Sequence, residues 1–330
     1  MTLSLKVSLS IVFTGPSGVG KSEQAKRVFN ARRADGSYPF RPMLVLYSEE
    51  STKGTLGKIL SSPDCTSAPI DNLADFTAGM VMLDAGHGAQ FDQDGDITVQ
   101  GHPFRSVFFD GWTAFTEGSK ADAQALALKE DGSKTLDGKA KQNDPRVSAK
   151  VGASDTRVAL RQWSSAGAKH VGLLLLSTAH AAEKWEPIPN SKQGERRQCG
   201  EQLDLSYQPA KWLYNWANCL IMLGRSLVEA ESLDALEDVD VADVAPAYYA
   251  ITHPIKVLDY TYSNLIKWQD GIFRPLKHDA EGRYVPQPND VRVKWNNPDL
   301  GAALLESPLL IAPPAKPAAT PSPKVPPAAA

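Results

Sequence analysis

Apolar residues gather into runs of strand length at Leu9–Phe13, Met43–Tyr47, Ser106–Phe109 and Val171–Leu176, with weaker runs at Cys219–Leu223 and Tyr249–Ile251. Short runs without alternation predict strands buried on both faces of a sheet. The pair Ile255–Tyr262 and Ile272–Leu276 predicts a terminal hairpin or meander. Helical segments fall between the strands. They are Lys21–Arg33, where Ala25, Val28 and Phe29 share a face, then Thr156–Ala168 and Lys211–Asn218. Strands alternating with helices predict an α/β fold: a mainly parallel central sheet, helices on both faces, and an antiparallel C-terminal extension.

Three segments break the pattern. Residues 117–155 are polar and rich in Lys, Asp, Gly and Ala, and their middle, Lys129–Pro145, reads as a mobile excursion. Residues 229–243 carry seven acids and no base, which reads as a solvated acidic insertion. From Pro308 to Ala330, eight of 23 residues are Pro and seven are Ala, too little apolar content for a core. The expected organisation is one domain over residues 1–306 and a disordered tail over 307–330.

Composition narrows the class. A chain of 330 residues with 42% hydrophobic and 22% charged residues suits a globular protein that buries its own core. No run of about 18 apolar residues occurs, so no membrane-spanning helix is expected. The first ten residues read as a leading strand rather than a signal peptide. Cys65, Cys199 and Cys219 are odd in number and scattered, which fits a reducing cytoplasm. Net charge is −3, so any nucleic-acid contact needs a local basic patch. From Lys120 to Lys169 ten bases face six acids, a local excess of +4.

The strongest chemical signal is Gly15-Pro16-Ser17-Gly18-Val19-Gly20-Lys21-Ser22, which fits G-x-x-x-x-G-K-[ST] between a strand and a helix. Glycines at Gly15, Gly18 and Gly20 let successive backbone N–H groups turn toward a phosphate, and the helix N-terminus adds its dipole. Lys21 supplies a charge for the phosphates and Ser22 a hydroxyl for Mg²⁺. The strand Arg105–Gly111 ends in Asp110, either an acid of a Mg²⁺ site or a plain turn residue. The strand from Met43 ends in Glu49-Glu50, at the sheet edge where ligands bind, or simply in solvent. Either could orient and deprotonate a water, with Glu49 preferred on spacing. The strand from Val171 runs into Ser177-Thr178-Ala179-His180, where His180 is a γ-phosphate sensor or a structural histidine.

Phosphate loop, strand ending in Glu, strand ending in Asp, strand ending in a polar residue: this order resembles the RecA-like ATPases. It is similar to the phage and bacterial AAA-type nucleotide-binding proteins, which include the Sak-type ATPases of single-strand annealing systems. The resemblance spans about Val7 to Arg225, more weakly to Leu276. It implies ATP as ligand and substrate with Mg²⁺, bound by Gly15 to Ser22, with Ser22 and Asp110 at the metal. It implies Glu49 as catalytic base and His180 linking γ-phosphate to DNA-binding loops. It further implies a homo-oligomer acting in DNA recombination, repair or replication, with single-stranded DNA as partner. The loops would fall at Lys129–Pro145 and Glu183–Gln208. Trp185 and Trp212 flank the second loop, either to stack on bases or as core packing. The sequence departs from the relatives' K-x-R-x-G at Lys267-Trp268-Gln269-Asp270-Gly271, where Gln269 replaces the Arg. Lys267 alone remains to reach a neighbouring subunit, or the stretch is an ordinary hairpin turn at Gln269-Asp270-Gly271. Two other readings stay open: a P-loop kinase with Arg196-Arg197 in its lid, and a nucleotide-binding assembly protein with little turnover.

Overall fold

A computed structural model describes residues 8–86, 89–91, 97–99, 104–129, 145–170, 172–188, 195–226, 247–251, 256–257, 260–263, 267, 294–296, 298–305 and 307. Along the chain run β1 (Leu9–Thr14), α1 (Lys21–Asn30), β2 (Met43–Tyr47), α2 (Ser51–Leu60), β3 (Cys65–Pro69) and α3 (Leu73–Gly86). A two-stranded piece, β4 (Ala89–Phe91) and β5 (Ile97–Val99), precedes β6 (Ser106–Asp110), α4 (Trp112–Lys129), α5 (Pro145–Lys169) and β7 (Leu174–Thr178). Then come β8 (Ala181–Pro187), β9 (Arg196–Leu203), α6 (Tyr207–Trp216) and β10 (Cys219–Ser226). The chain closes with β11 (Ala247–Ile251), β12 (Lys256–Val257), β13 (Tyr260–Ser263), β14 (Lys294–Asn296) and α7 (Leu300–Leu305).

The central sheet has the order β14-β11-β10-β1-β7-β6-β2-β3. Its six strands from β10 to β3 are parallel, and β11 and β14 extend it antiparallel. The expected α/β class, parallel sheet and antiparallel extension are therefore present. Alternate residues of each parallel strand serve opposite layers. Leu44, Leu46, Val107 and Phe109 meet α3, α4, α5 and α6 through Phe76, Trp112, Trp163 and Leu213. Leu9, Ile11, Phe13, Val45 and Phe108 meet α1, α2 and α7 through Val28, Phe29, Leu56 and Leu304. Burial on both faces explains why these strands read as unbroken apolar runs. Among the described residues no helix is long and apolar enough to cross a membrane.

Several expectations change. The excursion proposed for 117–155 is helical at both ends: Glu117–Lys129 completes α4, and Pro145–Asp155 opens α5. The two helices meet through small and polar groups, with Thr116 and Thr156 hydroxyls 2.7 Å apart. Residues 130–144, the acidic insertion 229–243, the strand Ile272–Leu276, Gln269 and the tail from 308 lie outside the described residues. The stretch Glu183–Gln208, expected as a loop, contains most of β8, all of β9 and the start of α6; β8 and β9 pair antiparallel.

Helix α7 sits against α1 so closely that a Cβ on Gly301 would run into the Arg27 carbonyl oxygen and lie 3.1 Å from the Ala31 Cβ. Both obstacles belong to α1 backbone or its immediate substituent, which cannot swing aside. Gly301→Ala is therefore expected to lower folding stability by about 1–3 kcal/mol through overpacking. Chemical denaturation of the variant beside the parent checks it.

Candidate functional site

The Gly15–Ser22 loop joins β1 to α1 at the carboxyl end of the parallel strands, where helix N-termini and strand ends converge. Its backbone requires glycine. Gly15, Gly18 and Gly20 have φ of 131°, 76° and 87°. A Cβ on Gly15 would also collide with the Leu223 carbonyl oxygen of β10. Gly20 opens α1, and no side chain caps that helix, which leaves its first-turn N–H groups to a ligand. Lys21 is only 7% exposed. Its ammonium donates to the Gly15 oxygen at 3.0 Å and to the Pro16 oxygen at 2.6 Å. Burial pulls its pKa below the ordinary lysine value, against the opposing pull of Glu49 and Asp110. A buried cation held by two carbonyls favours an anionic ligand.

Asp110 ends β6 and is 2% exposed. Three hydroxyls donate to its carboxylate: Ser22 at 2.7 Å and Thr52 at 2.7 Å to Oδ2, and Thr178 at 2.6 Å to Oδ1. Thr178 Oγ in turn accepts the Gly111 N–H at 2.8 Å. Burial pushes the Asp110 carboxyl above its ordinary value, and the three hydroxyls oppose that shift. The sequence reading anticipated Ser22 and Asp110 together and missed Thr52 and Thr178. Thr178 carried a signal, since it ends the strand beside β6 in the Ser-Thr-Ala-His stretch already singled out. Thr52 sits on α2, whose Ser/Thr/Gly-rich sequence gave no helical pattern.

One carboxylate, a serine hydroxyl and adjacent oxygens form a hard-oxygen set. That suits a cation which keeps waters and phosphate oxygens as its other ligands. The residues therefore fit Mg²⁺ bound with a nucleotide. Among the described residues no cluster of three or more His, Cys, Asp or Glu forms a complete metal cage.

Glu49 follows β2 and shares a hydrogen bond with His180 Nε2 at 2.9 Å. Ser51 donates to its other oxygen at 3.3 Å. The His180 contact holds the Glu49 carboxyl below the usual carboxylate range, outweighing its partial burial. Glu50 points elsewhere: its side chain is 85% exposed and pairs with Lys53 at 3.0 Å. The geometry thus separates the two acids in favour of Glu49. His180 is fixed by its own backbone N–H, which donates to Thr113 Oγ at 3.0 Å. The flanking N–H groups tie the same turn to the loop: Ala179 donates to the Phe13 oxygen at 2.9 Å, Ala181 to the Gly15 oxygen at 3.1 Å.

Ser17, Gly18, Gly20, Lys21, Ser22, Glu49, Asp110 and His180 all line one cleft of about 260 Å³. Gly15 and Pro16 support it through Lys21, and Val19 is buried beside it. Residues from four separate stretches thus converge: a glycine-rich loop with a buried lysine, a strand-end acid, a buried carboxylate ringed by hydroxyls, and a histidine paired with that strand-end acid. Arg196 and Arg197 are not among the cleft's lining residues and lie on β9. Lys267 stays within its own chain, donating to the Tyr214 and Asn215 carbonyls at the end of α6 at 2.9 and 3.0 Å. That placement complements the negative end of a helix. Trp185 is 45% exposed on β8, whereas Trp212 is partly buried with the Arg161 guanidinium 5.0 Å from its ring centre. Searched against models of known protein families and against curated proteins, the chain matches none.

Proposed function

We propose that this protein is a RecA-like P-loop ATPase that binds ATP with Mg²⁺, hydrolyses it, and acts on DNA in recombination, repair or replication of a phage-related system. The observation that carries the reading is the contact of Ser22 with Asp110, 88 residues apart, in one cleft with Glu49 and His180. Strand order supports it. One parallel strand, β7, stands between the phosphate-loop strand β1 and the Asp110 strand β6, and β2 with Glu49 at its end lies beyond. Mg²⁺ held by Ser22 and Asp110 would supply charge neutralisation for the phosphates. Lys21 and the α1 N-terminus bind the phosphates, and Glu49 orients and deprotonates a water.

A link to DNA rests on the β7–β8 turn. It carries His180 at the cleft, is bonded to Gly15, and leads directly into the β8–β9 hairpin with its exposed Trp185. The basic excess between Lys120 and Lys169 adds backbone-directed charge. Assembly as a homo-oligomer belongs to the same reading.

The test is phosphate release from ATP titrated with single-stranded oligonucleotide at several salt concentrations. Stimulation by DNA is expected, largely independent of sequence because lysines meet the backbone. The log–log salt slope of oligonucleotide binding should be near −0.7 per phosphate neutralised. Replacing Lys134, Lys139 and Lys141 by Ala should reduce it by up to about two units. Phosphate transfer to a small acceptor without DNA response would replace this reading with a kinase. ATP retained without phosphate release would replace it with an assembly protein.

A further inference from the structure

A second cavity, of about 340 Å³, adjoins the cleft and shares Gly20 and Glu23 with it. Val19, Gly20 and the first two turns of α1 form one wall, and Tyr248 of β11 with Pro298 ahead of α7 forms the other. We propose that this cavity takes the base and sugar of a nucleoside triphosphate, that the base stacks on Tyr248, and that none of the described lining residues reads the base edge. The protein then binds ATP and GTP with little preference between them. The inference rests on the nucleotide reading of the phosphate loop and specifies what that site accepts.

Three observations lead there. The first is adjacency. A nucleotide whose terminal phosphates occupy the Lys21 cleft must carry its nucleoside away from that cleft. The neighbouring hollow meets the cleft at Gly20 and Glu23, at the first turn of α1. Its size falls within the range of about 300–1,000 Å³ for small-ligand pockets. The second is the aromatic. Tyr248 is the one aromatic among the described residues lining the cavity, and it is 36% exposed on β11, which pairs with β10 and β14. A ring left open to a pocket is a stacking platform, tolerant of base identity because every base has a π-face.

The third is the state of the polar groups. Gln24 would be the natural reader of a base edge, but both ends of its amide are committed. Its Nε2 donates to the Pro298 oxygen at 2.9 Å, and its Oε1 accepts the Leu300 N–H at 3.1 Å. The Arg27 guanidinium donates to the same Pro298 oxygen. Glu23 accepts from Lys26 at 2.9 Å. Strong discrimination comes from buried polar groups that the wrong substrate leaves unpaired. Here the buried group, Gln24, is satisfied by the fold itself, so exchanging adenine for guanine does not strand it.

The experiment is calorimetric titration of the full chain with ATP, GTP and inorganic tripolyphosphate in the presence of Mg²⁺, for the parent, Tyr248→Ala and Tyr248→Phe. The parent should bind ATP and GTP within about fivefold of each other, and both more tightly than tripolyphosphate. Tyr248→Ala should raise both nucleotide Kd values about tenfold, the loss of one base-stacking contact, and leave tripolyphosphate within about twofold. Tyr248→Phe should behave as the parent. If ATP and tripolyphosphate bind but Tyr248→Ala leaves ATP untouched, this inference falls and the phosphate loop stands. A parent that prefers ATP over GTP by about fiftyfold or more overturns the unread edge whatever the variants do. Failure of the parent to bind either nucleotide or tripolyphosphate overturns the inference together with the reading beneath it.

Discussion

Lys21→Ala is expected to weaken ATP binding by about ten- to a hundredfold, the range for a lost charge-assisted hydrogen bond, and to remove measurable turnover. The ammonium is buried and held by the Gly15 and Pro16 carbonyls at the base of the cleft, and among the described lining residues it is the one lysine or arginine. Stability should move the other way. The folded state holds the Lys21 proton less well than the unfolded chain, because burial lowers its pKa. Such a group costs stability at neutral pH, and the cost is lifted only as the pH rises toward the ordinary lysine value of 10.5. Lys21→Met, which keeps the hydrocarbon and removes the charge, should therefore melt at or above the parent temperature while losing as much ATP affinity as the alanine variant. Calorimetric titration paired with thermal unfolding checks both halves. Unchanged affinity in a folded variant would remove the phosphate-loop assignment.

The parts of this site differ in how far the sequence discloses them, and the reason is local physics. The phosphate loop is legible because its glycines, lysine and serine are adjacent in sequence and each residue type is dictated by backbone conformation or charge. Strands β1, β2, β6 and β10 are legible because both their faces are buried, so a simple apolar run marks them to within a few residues. Strand β3 is not, since it is an edge strand with a half-exposed, polar sequence, Cys65 to Pro69. Helix α4 was obscured because its seam with α5 is built from Thr116, Thr156 and Gly152. A Cβ on Gly152 would sit 2.9 Å from the Thr116 oxygen. Close packing of small polar residues leaves no hydrophobic stripe for a periodicity argument to find. The same blindness hid Thr52, which reaches Asp110 from a helix of Ser, Thr, Gly and Lys. His180 and Glu49 were each visible as a polar residue after a strand. Their pairing was not, because it joins positions 131 residues apart whose proximity depends on the strand order.

That pairing sets the second large effect. Glu49→Gln should slow ATP hydrolysis by about 10²-fold or more, the contribution of a positioned general base. ATP binding should survive, because Lys21, Ser22 and Asp110 remain. Glu50→Gln should stay within about twofold of the parent, as befits a solvent-exposed residue paired with Lys53. The histidine hydrogen bond gives the pH dependence its sign. It holds the Glu49 pKa below the ordinary value of 4.5, so the carboxylate is charged, and able to accept a proton, at every pH above that value. Activity owed to Glu49 is lost only as the pH falls through the lowered pKa. His180→Ala removes the largest downward influence on Glu49 and leaves its partial burial unopposed by that bond. The acid limb of the rate profile should then move to higher pH. A pH–rate series on the parent, Glu49→Gln, Glu50→Gln and His180→Ala separates the roles. Loss of turnover in Glu50→Gln with Glu49→Gln intact would transfer the base to Glu50. An acid limb unmoved by His180→Ala would show that the histidine does not tune this carboxylate.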